Sequence, residues 1–80
     1  MEKKRIEEKI REILQQEFKK EGIDNNSEFM DGIDGWDLDS LEFVRLIVSV
    51  EKCFSVIIDF DEEFHTMNEL VEIIQRKEDK

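Results

Sequence analysis

Between Leu41 and Phe54 the chain reads LEFVRLIVSVEKCF, in which Leu41, Phe43, Val44, Leu46, Ile47, Val48, Val50 and Phe54 are apolar. The spacing suits a helix, but the apolar arc is wider than the single stripe of a surface helix. Such a helix is packed on more than one side, or it keeps an apolar strip for a ligand or partner. The chain has 80 residues. A domain of this size buries only about 60% of the surface its unfolded chain exposes, so every apolar face has to be used.

Two further segments carry helical periodicity. Ile6, Ile10, Ile13, Leu14 and Phe18 form one stripe, predicting a helix over residues 3–20 with Gly22 as its stop. Glu7, Glu8, Arg11 and Glu12 fall on its solvated sides. Near the other end Thr66 stands three residues before Glu69, a capping-box signature. Met67, Leu70, Val71, Ile73 and Ile74 follow as an apolar face, and Arg76, Lys77 and Lys80 lie where a helix C-terminus favours cations. The SVII at residues 55–58 reads as an extended connection, and DFDEEFH as a short helical turn. With no proline and three glycines, the expectation is one all-α domain over residues 1–80. It is a four-helix bundle with three main helices, one short helix and a long loop between helices 1 and 2. Its expected core is Ile6, Ile10, Leu14, Phe18, Val44, Ile47, Leu70, Val71 and Ile74.

The long loop, EGIDNNSEFMDGIDGWDLD, has no helical period and contains Asp-Gly twice. Ile23, Phe29, Met30, Ile33, Trp36 and Leu38 are expected to anchor it onto the helices. It leads to Ser40, which is expected to open the second helix as its N-cap, with Glu42 in the first turn favoured by the helix dipole.

Charge narrows the function classes. The formal net charge is -10. Residues 1–20 have a slight basic excess, whereas no lysine or arginine occurs from Glu21 to Val44. Such a surface repels nucleic acid and anionic membranes and attracts proteins with basic patches. No apolar run approaches membrane-spanning length, and the charged N-terminus does not read as a signal peptide. The single cysteine, Cys53, excludes an internal disulfide and a multi-cysteine zinc site, which fits a reducing cytoplasm.

Ser40 is the residue that asks for an explanation. A catalytic serine needs a base and an orienting group. The chain has one histidine, His65, and no elbow glycines around Ser40, so an enzyme is not expected. Nor do the dense aspartates make an EF-hand: from Asp31 the third position is Ile33, and from Asp37 the fifth is Leu41. No specific metal site is expected, although weak divalent-ion binding stays open. A hydroxyl at a helix N-terminus, by contrast, suits a phosphate, because free N–H groups and the dipole favour an anion there. The neighbouring apolar face could shelter a greasy cargo.

The segment DLDSLEFVRLIVSVEKCF resembles the acyl carrier protein family, including its peptidyl and aminoacyl carriers, through Asp39-Ser40-Leu41 opening a helix whose apolar run ends near Phe54. FHTMNELVEII is similar to the family's final segment, and the likeness in helix order and loop length covers roughly residues 3–77. The resemblance implies an acyl-carrier-like bundle that is not an enzyme. It implies a 4'-phosphopantetheine arm on Ser40, delivered from coenzyme A by a phosphopantetheinyl transferase, whose thiol carries acyl or aminoacyl thioesters. It also implies a stand-alone cytoplasmic monomer. Its partners would be loading and transferring enzymes with basic docking patches, met through Asp39, Leu41, Glu42 and Val48. Fatty acyl, polyketide, amino acid and D-alanyl carriers share this frame. The chain departs from it in Arg45 and Lys52, basic residues in a helix that is usually acidic in fatty-acid carriers. Two alternatives remain: a small acidic interaction module without a prosthetic group, and a divalent-ion sensor. Cys53 and His65 are read as surface spectators, and Trp36 as a loop anchor.

Overall fold

Three helices form where the periodicity places them: α1 Lys3–Phe18, α2 Ser40–Phe54 and α3 Met67–Glu78. The computed structural model describes residues 1–59 and 61–78. Lys80, expected at the end of the last helix, lies outside them. The radius of gyration, 11.6 Å, is what close packing gives a domain of this length.

α1 is the central element. It packs against both α2 and α3, which approach one another only weakly. Its buried residues are Ile6, Ile10 and Leu14, a pure i, i+4, i+8 stripe. The helix ends at Phe18, short of the expected residue 20. Lys19 adopts the left-handed conformation, with φ of 58°. The N–H groups of Lys19 and Lys20 then return to the carbonyls of Gln15 and Leu14, both at 3.1 Å. The closure is made by a lysine in the left-handed position, so Gly22 is not the stop. At α3 the capping box forms as expected. Glu69 N–H donates to Thr66 Oγ1 at 3.3 Å, and Thr66 N–H donates to Glu69 Oε1 at 3.1 Å.

The gap between α2 and α3 is filled by the long loop. Phe29 is fully buried and its ring lies 6.3 Å from Trp36, 6.0 Å from Phe43 and 6.1 Å from Phe64. Three aromatic contacts from one loop residue join the loop, α2 and the segment before α3. Backbone hydrogen bonds fix the same residue: Phe29 N–H donates to His65 O at 2.8 Å and Leu38 N–H donates to Phe29 O at 2.9 Å. Trp36 N–H closes the loop on Glu28 O at 3.0 Å. Arg11 clamps it from α1, donating to Ile23 O at 2.7 Å and to Asn25 Oδ1, while its guanidinium lies over the Trp36 ring. Arg11 is therefore a loop clamp rather than a solvated charge.

Several expectations about burial are corrected. Trp36, Phe29 and Leu38 are buried anchors and Ile23 is half-buried, but Met30 and Ile33 face solvent, Ile33 being 91% exposed. Val44, expected in the core, is 54% exposed. It sits where α2 turns away from α1, and Leu46, Val50 and Phe54 take the buried face instead. Phe18 and Ile47 are half-buried at the margin of the core. The extended connection expected at residues 55–58 begins instead with Ser55 as the left-handed cap of α2, φ 56°, and residues 56–58 follow without regular secondary structure. Among the described residues of the 59–65 segment there is a hydrogen-bonded turn, Glu62 N–H to Asp59 O at 3.1 Å, and no helix.

Gly35 is needed for space. A Cβ built there would stand 2.1 Å from Glu28 O and 2.7 Å from Asp31 Cβ. Both neighbours belong to the closed loop and cannot yield without opening it. Gly35→Ala should destabilise the protein by roughly 1–3 kcal/mol in urea denaturation. An unchanged midpoint would show that the loop is not tied into the core.

The capping box gives a pH signature. Glu69 titrates below its ordinary value of 4.5, chiefly because the His65 N–H donates to it, helped by Thr66. A depressed folded pKa means that its stabilisation is present above the unfolded value and lost as pH falls through the folded one. Glu69→Ala should cost about 1 kcal/mol near neutral pH. The gap to wild type should close in urea melts below pH 4.5; a gap that stays constant into acid would contradict this.

Candidate functional site

The loop delivers the chain to α2 with an acidic residue, not the serine, in the capping position. Asp39 is the N-cap. Its Oδ1 accepts from Glu42 N–H at 2.8 Å, and Glu42 Oε1 accepts from Asp39 N–H at 3.1 Å. This reciprocal box corrects the expectation that Ser40 caps the helix. Asp39 is the better acceptor because its carboxylate also complements the dipole. Ser40 becomes the first helical residue.

The consequence is chemical. Ser40 is exposed, and among the described residues no protein group hydrogen-bonds its hydroxyl. The N–H groups of Ser40 and Leu41 are first-turn donors with no intrahelical acceptor. The box satisfies Glu42 N–H and leaves those two facing outward. A hydroxyl beside two open donors at the positive end of a helix dipole fits a phosphodiester.

Below Ser40 the same face of α2 is apolar. Val44 and Val48 follow at i+4 and i+8, and both are exposed. Leu41 is 71% exposed beside them. Val44 and Val48 form one wall of a groove of about 440 Å³, with Phe43, Ile47, Ile58 and Phe64 as further apolar lining. The groove lies between α2 and the connection before α3, and its aromatic floor is the Phe43–Phe64 pair, 5.3 Å between centroids. Asp59, Glu62, Glu63 and His65 complete its lining. Glu62 is held below its ordinary value of 4.5, first by the Asp59 N–H and then by the Lys77 ammonium 3.0 Å away.

Of the predicted site residues, Asp39 caps α2, and Ser40, Leu41, Glu42 and Val48 lie on its first three turns. Val44, Phe43, Ile58 and Phe64 were not singled out for this site. Val44 was recoverable from sequence by counting four from Ser40; Ile58 and Phe64 were not, since they depend on how the connection before α3 folds back. The loop aspartates serve local structure. Asp31 accepts from Ile33 N–H at 2.9 Å, and Asp37, with φ of 57°, faces Lys20 at 3.9 Å. Among the described residues no three His, Cys, Asp or Glu side chains converge as a metal site, and no helix is long and apolar enough to cross a membrane. Cys53 and His65 are both exposed.

No protein-family model matches the chain, and no curated protein is significantly similar to it.

The cap assignment separates two serine roles. Asp39→Ala should cost about 1 kcal/mol in urea denaturation, the usual loss of an N-cap. Ser40→Ala should leave stability within about 0.5 kcal/mol, as for a surface site. The reverse ranking would return the capping role to Ser40.

Proposed function

We propose that this chain is a carrier domain of the acyl carrier protein type, with a 4'-phosphopantetheine arm on Ser40. The observation that carries this reading is the division of labour at the start of α2. Asp39 and Glu42 make the cap between them, which leaves the Ser40 hydroxyl outward and unengaged. A serine serving only the fold would be expected in the capping position itself.

When bound, the arm supplies a thiol that holds acyl or aminoacyl cargo as a thioester. The chain's own residues do the rest. Ser40 and Leu41 N–H groups stabilise the phosphodiester charge. Leu41 and Val48 offer apolar contact to a partner, and Asp39 and the acidic loop attract basic docking patches on the transferase and loading enzymes. The groove starting at Val44 gives an apolar cargo a place out of water. No residue of the site performs catalysis in this reading; the partners do. The four-helix form of the family belongs to the same proposal. The remaining features of the reading are a monomer and a cytoplasmic setting.

The test is direct. Purified protein is incubated with coenzyme A, magnesium and a promiscuous phosphopantetheinyl transferase, and its intact mass is recorded. The mass should rise by one arm, and Ser40→Ala should abolish the gain while the variant stays folded. No gain beside a control carrier that is modified would refute the assignment and favour an acidic interaction module.

A further inference from the structure

The outward face of α2 has two edges of opposite charge. Along its middle run Leu41, Val44 and Val48, all exposed. On the side toward α1 lie Arg45 and Lys52, also exposed. That side is fixed by two contacts: the Arg45 guanidinium sits 5.5 Å from the Phe18 ring centroid, and Ser49 Oγ donates to Glu17 at 2.8 Å. Phe18 is followed at once by Lys19 and Lys20. On the opposite side the strip is bordered by the groove and by Asp59, Glu62 and Glu63.

The helix's own acids do not offset the basic edge. Glu42 is half-buried and accepts from Asp39 N–H. Glu51 is half-buried and accepts from Ile58 N–H at 2.9 Å. Both carboxylates are held by backbone N–H groups at the two ends of the helix. Glu17 of α1 accepts from the Ser49 hydroxyl. In a protein of net charge -10, the exposed charges of α2 beyond Ser40 are therefore cationic.

We propose that α2 docks onto a protein surface with an apolar centre bordered by carboxylates on the side that meets Arg45 and Lys52. The basic groups of such a partner face the other edge, along Asp59 and Glu63. This deepens the carrier reading and rests on it for its purpose. An acidic border against Arg45 and Lys52 fixes which way round the partner sits, and so the direction in which Ser40 is presented. A partner with a uniformly basic surface is repelled at the α1 side.

The test uses two synthetic amphipathic helical peptides with the same leucine face, one bordered by Glu and the other by Lys. Each is titrated into isotope-labelled protein at physiological salt, where screening over about 8 Å confines the charge effect to the nearest edge. Amide NMR locates the contact. The Glu-bordered peptide should shift Arg45, Val48 and Lys52, and the Lys-bordered peptide should shift Asp59, Glu63 and the loop aspartates. The double variant Arg45→Glu, Lys52→Glu should weaken the Glu-bordered peptide about fivefold, the size expected of two exposed ion pairs. Arg45→Gln with Lys52→Gln should fall between, with an unchanged circular dichroism spectrum. Strongest shifts at Arg45 and Lys52 from the Lys-bordered peptide, no shifts in α2 from either, or charge reversal without effect would each overturn the proposal. Arm loading at Ser40 is read separately by mass. A loaded protein that fails the peptide test sinks this inference alone, and an unloadable protein that passes it sinks the carrier reading alone.

Discussion

The structure depends on one fully buried loop residue, Phe29. Three helices of 16, 15 and 12 residues cannot enclose a core when two of them barely meet. Phe29 fills the space they leave, in contact with Trp36, Phe43 and Phe64, while its backbone is bonded to His65 and Leu38. The loop is thus a fourth structural layer rather than a tether. Apolar burial, at about 25 cal/mol per Å², makes these side chains a principal source of cohesion in so small a domain. The groove beside Val44 lies next to this packing, between α2 and the connection before α3.

From this follows the character of the site. Because the loop is pinned at Trp36 and Leu38, Asp39 arrives at α2 in an extended conformation suited to capping. The cap is then made by carboxylates alone, and Ser40 is displaced by one position into solvent. Exposure of the hydroxyl, open first-turn donors and an apolar track at i+4 and i+8 are consequences of one local event. The surface that surrounds them is acidic from the loop and basic along one side of α2, so the approach of any partner is electrostatically polar rather than uniform.

Much of this was legible in the residues. Apolar spacing located α1, α2 and α3, and the Thr66–Glu69 pair marked the start of α3 to the residue. The buried stripe Ile6, Ile10, Leu14 and the face Met67 to Ile74 were read correctly, because a helical period determines which residues share a side. What spacing does not determine is which part of a broad apolar arc will find a neighbour. Val44 and Leu41 are as apolar as Leu46, and only the positions of α1 and the loop decide that they face out. Lys19 in a left-handed conformation and Asp39 rather than Ser40 as the cap were hidden for a related reason. Lysine rarely adopts that conformation, and serine and aspartate are near-equal caps in sequence statistics. Arg11 could not be recognised as a clamp from α1 alone, since its partners Ile23, Asn25 and Trp36 lie beyond the helix.

The central claim is that the Ser40 oxygen is the protein's point of covalent attachment. It is tested most directly on protein purified from the cells that express it, by fragmenting the peptide that spans Ser40 and sequencing it by mass spectrometry. The account predicts a phosphodiester-linked thiol-bearing group on Ser40 in a substantial fraction of molecules. Unmodified Ser40 throughout, in cells whose other carriers are loaded, would contradict it.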